Sequence, residues 1–143
     1  MRVRDIIHRD GPRLRLRFSA GESGYGPLLR LGDPERANPA TVILDLYAAE
    51  LLAAFLMSAR VTPVGELPEE SCLGDYPLAM RLGARGGEIR IELVQGGERL
   101  LIPRTLWDRL YTELQLVLAH ARHFARAATT SGFALFDQRR LLH

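Results

Sequence analysis

Short stretches of the chain alternate apolar and polar residues, a pattern typical of half-buried β-strands. The clearest stretch is PRLRLRF at residues 12–18, where Arg13, Arg15 and Arg17 alternate with leucine and phenylalanine. Successive side chains of a strand point to opposite faces, so one face should carry three guanidiniums and the other three apolar groups. We predict eight strands, of which the first and fifth are weakly marked, at residues 2–7, 13–18, 27–32, 41–46, 61–67, 76–84, 88–95 and 99–104.

Two segments rich in strong helix formers predict helices at residues 46–60 and 105–127. Asp45 directly precedes the first helix and is a suitable N-cap. Four strands followed by a helix thus occur twice, and an offset of 59 residues aligns the two helices. This order predicts an internal duplication, although two unrelated meanders that are each followed by a helix would give the same outline.

The predicted fold class is α+β, with two tandem β-meander-plus-helix (ββββα) repeats that form one domain. The sheets are antiparallel and the helices pack on one side of them. We place the single domain at residues 1–143, the first repeat at about 1–60, the second at about 61–127 and a C-terminal tail at 128–143.

The composition is that of a soluble globular protein, with 47% hydrophobic and 25% charged residues in a chain of 143. The single cysteine, Cys72, leaves no disulfide framework, which favours a reducing compartment. The amino terminus lacks the apolar run of a secretory signal, and the longest apolar run, Leu51 to Met57, is too short to span a bilayer. We therefore expect a cytoplasmic protein without a membrane partner.

All 19 basic residues are arginine, in a chain whose formal net charge is only +2. A GC-rich genome would produce this bias, but arginine is also the side chain best suited to bind phosphate. Strand parity places eight arginines and two glutamates on one sheet surface, a net charge of +6. This separation of charge favours an anionic partner, and the alternative is a row of solvated arginines whose stems lie along the sheet. The eight arginines are Arg13, Arg15, Arg17, Arg30, Arg81, Arg85, Arg90 and Arg99, and the two glutamates are Glu88 and Glu92.

Motifs of catalysis are missing from the sequence. There is no Walker or dinucleotide-binding glycine motif, and His120 and His123 have no further ligand placed to complete a metal site. Cys72 lies in an acidic stretch, which would raise the pKa of a thiol rather than activate it. We expect no catalytic residues, no metal and no cofactor, and hence a protein that is not an enzyme.

The first predicted helix is apolar nearly all round, and its small residues Ala49, Ala53 and Ala54 lie beside a second face. Such a helix needs cover on both sides. A homodimer or other homo-oligomer, or a protein partner docked at residues 46–60, would supply this cover, and so would the longer C-terminal helix of the same chain.

GPLLRLGDPERANPATVILDLYAAELLAAFL (26–56) and GGEIRIELVQGGERLLIPRTLWDRLYTELQLVL (86–118) share one outline. In both, a strand with a basic residue among apolar ones is followed by a loop, a last strand and an amphipathic helix. This order, over roughly residues 12–127, resembles the Pur and Whirly group of single-stranded nucleic-acid-binding proteins. The resemblance implies two intertwined halves and a sheet surface that binds single-stranded DNA or RNA through arginine–phosphate contacts and base stacking.

Together, the arginine surface and this resemblance predict a non-enzymatic binder of single-stranded nucleic acid. The alternative is a protein-interaction or assembly subunit that docks through helix 46–60 and binds no nucleic acid. The residues expected to bind nucleic acid are Arg13, Arg15, Arg17, Arg30, Arg81, Arg90 and Arg99, with Tyr25 as a stacking surface.

Overall fold

The computed structural model describes residues 2–7, 11–19, 26–34 and 40–123. These residues form two four-stranded antiparallel sheets, each a meander in which neighbouring strands follow one another in sequence. The first sheet contains β1 (Arg2–Ile7), β2 (Arg13–Ser19), β3 (Leu28–Gly32) and β4 (Thr41–Leu44). The second contains β5 (Glu70–Cys72), β6 (Leu78–Arg85), β7 (Glu88–Gln95) and β8 (Glu98–Pro103).

A helix follows each sheet. Helix α1 (Leu46–Val61) begins after β4, and the carboxylate of Asp45 accepts a hydrogen bond of 2.8 Å from the Ala48 amide, as the predicted N-cap requires. A short 3-10 turn (Arg104–Leu106) leads from β8 into helix α2, which is described over residues 107–123. The prediction of an α+β protein with the ββββα order occurring twice is confirmed.

The prediction of a strand at residues 61–67 is wrong. Helix α1 continues through Val61, where the Thr62 hydroxyl donates 2.6 Å to the Ser58 carbonyl, and Pro63 follows in the loop. The strand that opens the second sheet is β5, which pairs only three residues with β6. A strand this short has no room for an alternating pattern, so the sequence does not mark it.

The β6–β7 hairpin turns on Gly86 and Gly87, whose φ angles are +60° and +81°. Two consecutive left-handed residues are what a two-residue hairpin loop of type I′ requires, and glycine adopts them without steric cost. The tight turn fixes the register in which Arg81 lies opposite Glu92.

The core lies between the inner faces of the sheets and the two helices. Leu16, Leu31, Met80 and Ile91 are fully buried at inward positions of β2, β3, β6 and β7, as strand parity predicts. The Trp107 side chain is also buried, and its Nε1 donates 3.0 Å to the Ile102 carbonyl at the end of β8. This layer of helices on the inner faces leaves the opposite faces of the sheets exposed.

One ββββα unit comprises the first sheet and α1, and the other comprises the second sheet and α2. Each helix also contacts the sheet of the other unit. Helix α1 contacts β3 and β4 of its own sheet and β6 of the second. Helix α2 contacts the first sheet, since Glu113 pairs with Arg4 at 3.1 Å and the ring of His120 lies 5.8 Å from that of Phe18. The two units are therefore interleaved through their helices.

Two ion pairs show that the helices run antiparallel, since each pair joins the start of one helix to the end of the other. Arg122 of α2 lies 2.9 Å from Glu50 near the start of α1, and Arg60 near the end of α1 lies 3.3 Å from Asp108. Within this layer Ala49 and Ala53 are buried in the chain itself. The inner side of α1 is thus covered without a second copy, and a homo-oligomer stays a prediction.

Candidate functional site

The outer face of the first sheet brings arginines of neighbouring strands together. Antiparallel register places Arg17 of β2 directly opposite Arg30 of β3. Both are exposed, and with Arg15 they line a depression of about 150 Å³ to which Asp33 and Thr41 also contribute. Like charges directly opposite on adjacent strands repel, so this pair costs stability unless an anion lies between the guanidiniums.

Arg15 differs from its neighbours because Asp5 of β1 lies opposite it. The two carboxylate oxygens of Asp5 accept from Nε and Nη2 of Arg15 at 2.8 and 3.1 Å. These hydrogen bonds, more than any other interaction, hold the pKa of Asp5 below its ordinary value of 3.8. Asp5 is therefore ionised at neutral pH and neutralises part of the arginine row.

The outer face of the second sheet has a similar internal pairing. Glu92, on the central part of β7, accepts 2.7 Å from Nη2 of Arg99 and 3.0 Å from Nη2 of Arg81. The hydrogen bond from Arg99 is the largest influence that holds the pKa of Glu92 below its ordinary value of 4.5. One carboxylate thus holds two of the predicted site arginines in place.

The arginines of the two sheets meet where the sheets adjoin. A cleft of about 150 Å³ between them is lined by Arg13 and Arg90 together with Asp33 and Glu88. A further depression of about 300 Å³, on the second sheet, is lined by Arg81, Arg85, Arg90 and Arg99.

Adjacent depressions share lining residues. Asp33 lines both the first-sheet depression and the cleft, and Arg90 lines both the cleft and the second-sheet depression. The three concavities are therefore neighbours, and we name the surface that they form together the arginine track. Its arginines are Arg13, Arg15, Arg17, Arg30, Arg81, Arg85, Arg90 and Arg99.

The predicted net charge of +6 on the outer faces of the strands is too high by one, and Asp33, in the loop after β3, adds a further negative charge to the track. On the outer face of the first sheet, four arginines and Asp5 give +3, and on the second, four arginines and two glutamates give +2. The sequence prediction omitted Asp5 because parity within β1 does not reveal which residues of β2 it faces. The register between the strands supplies that information.

Every predicted site arginine lies on the arginine track. The track also contains Arg85, which strand parity places on the same face but which is not among the predicted site residues. Tyr25, the predicted stacking residue, lies outside the described residues. The outward-facing positions of the eight described strands hold no aromatic side chain, so these strands offer contacts to phosphate and no ring for base stacking.

Cys72, the single cysteine, does not line the arginine track. Cys72 is buried, and this burial, assisted by the charge of Asp45, raises the pKa of its thiol. Over the ranges that the structure covers, no three histidine, cysteine or acidic residues are grouped to hold a metal ion. Within the same ranges no helix is both long and apolar enough to cross a bilayer.

Helix α1 exposes an apolar stripe on the side that faces away from the core. Tyr47, Met57 and Val61 are 64%, 45% and 84% exposed, respectively. The predicted docking of a protein partner through helix 46–60 would have to use this stripe, because the alanines at 49 and 53 are already buried. That docking stays a prediction.

A scan of the chain against protein-family models gives no match, and a search of curated proteins finds none with significant sequence similarity. The function proposed below therefore depends on the geometry of the arginine track. The resemblance to the Pur and Whirly group likewise stays a prediction.

Proposed function

We propose that this protein binds single-stranded nucleic acid, DNA or RNA, through contacts between phosphates and the arginine track, and that it catalyses no reaction on it. The observation that carries the proposal is the arginine pair at positions 17 and 30, which faces like charge across adjacent strands. A phosphate between the two guanidiniums would convert that repulsion into two charge-assisted hydrogen bonds.

The length of the track favours a polymer over a single small anion. The track passes from the Arg17–Arg30 depression through the cleft at Arg13 and Arg90 to the depression at Arg81 and Arg99. A ligand that carries one phosphate would engage one of these concavities, whereas a chain of phosphates engages several at once. A basic surface that follows a backbone is typical of proteins that bind single strands with little sequence preference.

Shallow sheet faces also favour a single strand. Single strands are commonly recognised on an exposed sheet, because their unpaired nucleotides can lie across the surface. On the outer faces of the described strands the cationic groups are guanidiniums, which donate to phosphate oxygens and also stack on base planes. We therefore expect weak base preference and strong dependence on salt.

The test is a fluorescence polarisation titration with a labelled oligonucleotide of about 20 nucleotides, single-stranded and double-stranded, at about 50 and about 200 mM salt. If about five phosphates are engaged, the slope of log K against log salt is about −3.5 for the single strand. The single strand should bind more tightly than the duplex of the same sequence.

The double variant R17E/R30E should weaken binding by about 30-fold or more, since two charge-assisted contacts of about 1 kcal/mol each are lost. Its salt slope should become shallower by about 1.4, or 0.7 for each lost contact. The matched control is R60E/R122E, which makes the same change of charge on the helix layer, where these arginines pair with Asp108 and Glu50. Equal affinities for the two double variants, or no binding by the wild-type protein at the lower salt, would refute the proposal.

A further inference from the structure

The position of Asp5 beside the arginine track is unusual. Among the described strand residues of the first sheet, it is the carboxylate that points to the outer face, where β2 and β3 present arginines. Its register partner is Arg15, and it occupies two donors of that guanidinium, Nε and Nη2. A phosphate that approaches Arg15 finds those donors already engaged.

Asp5 lies on the edge strand β1, opposite the middle arginine of the row on β2. Arg13 and Arg17 are two residues to either side of Arg15 on the same strand face, and the charges of both act on the Asp5 carboxylate. A phosphate bound at Arg17 and Arg30 is therefore close to a fixed negative charge. The side chains of Asp5 and Arg15 are 38% and 36% exposed, so the carboxylate can exchange its partner for water at small cost.

We propose that Asp5 is a built-in competitor for the phosphate-binding site, which limits the affinity of the arginine track for its ligand. This inference rests on the proposed function. An arriving phosphate takes over the Arg15 donors from Asp5, and on release the carboxylate takes them back. The pair thereby keeps Arg15 oriented when no ligand is bound and favours release of the strand.

The test compares D5N with E50Q in the titration with the labelled single strand. Each variant removes a carboxylate that pairs with an arginine, but Glu50 pairs with Arg122 at 2.9 Å on the helix layer, on the other side of the sheets from the arginine track. D5N should tighten binding by about three- to tenfold, the range expected for a unit charge close to a phosphate at a protein surface. E50Q should change the affinity by less than about twofold, because the sheets separate its charge from the track and exposed charges at long range are screened.

A second pair of variants tests the role of Arg15. If the gain arises because Arg15 is released, D5N should have little effect in an R15Q background. D5S replaces D5N if the asparagine variant lowers the melting temperature by more than a few degrees.

The outcomes separate this inference from the proposed function. If D5N binds no more tightly than wild type, or if E50Q tightens binding equally, Asp5 is not a competitor. The proposed function still stands in that case, provided that R17E/R30E has lost binding. If R17E/R30E binds as well as R60E/R122E, the proposed function itself is refuted, whatever D5N does.

Discussion

Gln95 joins the two sheets and gives a direct test of how they are held together. Its Oε1 accepts 2.7 Å from the Ile43 amide and its Nε2 donates 2.8 Å to the Ile43 carbonyl, so the side chain binds β4 as a neighbouring strand would. The same Nε2 lies 3.5 Å from the Tyr76 carbonyl. The substitution Gln95→Ala removes all three contacts and leaves two half-buried backbone groups of Ile43 without this partner.

The expected loss follows from those two short hydrogen bonds. Each contributes about 1 kcal/mol net, and leaving a buried backbone group unsatisfied raises the cost to about 1–3 kcal/mol. Since Ile43 is half-buried and water can reach it in part, we expect a loss of about 2–4 kcal/mol in the free energy of unfolding. For a chain of this size, about 3–4 °C per kcal/mol gives a fall of roughly 6–16 °C in melting temperature.

The assay is thermal unfolding followed by far-UV circular dichroism and by the fluorescence of Trp107, the single tryptophan, which is buried and should shift to longer wavelength on unfolding. Gln115→Ala is the matched control, because it is the same glutamine-to-alanine change at an exposed position of α2. If Q95A melts within about 2 °C of Q115A, the Gln95 side chain does not hold the sheets together and the reasoning fails.

Two further predictions concern ionisable groups. Cys72 is buried and the pKa of its thiol is raised, so a thiol reagent at mildly alkaline pH should modify it much more slowly in the native protein than in denaturant; equal rates would contradict its burial. The pKa of Glu92 is lowered from 4.5 by Arg99 and Arg81, so its stabilising effect is present above pH 4.5 and is lost as the pH falls through the lowered value. Wild type should therefore melt above E92Q at neutral pH, with a gap that closes in acid, and a gap that persists at all pH values would show that Glu92 acts through packing instead.

Local patterns in the sequence predict most of the secondary structure. Alternation in PRLRLRF and EIRIELVQ places β2 and β7 within one residue of their observed ends, and Asp45 correctly predicts where α1 begins. These features are recognisable because periodicity and capping depend on residues that are neighbours in sequence. The strand that the sequence does not predict is β5, which is too short to show a period and lies in the acidic stretch around Cys72.

The candidate site is predictable in part for the same reason. Parity within a strand tells which arginines share a face, and the sequence alone therefore determined that Arg13, Arg15 and Arg17 point away from the core. It could not determine that Asp5 faces Arg15, that Arg17 faces Arg30, or that Glu92 holds both Arg81 and Arg99. Those neighbours belong to different strands, and register between strands is set by turns and packing along the whole sheet.

Tertiary structure alone decided how the two units combine. Each helix has an apolar face that any hydrophobic surface could cover, so the sequence did not reveal that α1 reaches β6 or that α2 packs on β1 and β2 through Glu113 and His120. The hydrophobic effect has no direction, and it selects no partner until the shapes of all elements are fixed together. The same packing places Arg13 and Arg90 on one cleft, so that the arginine rows of the two sheets line neighbouring concavities.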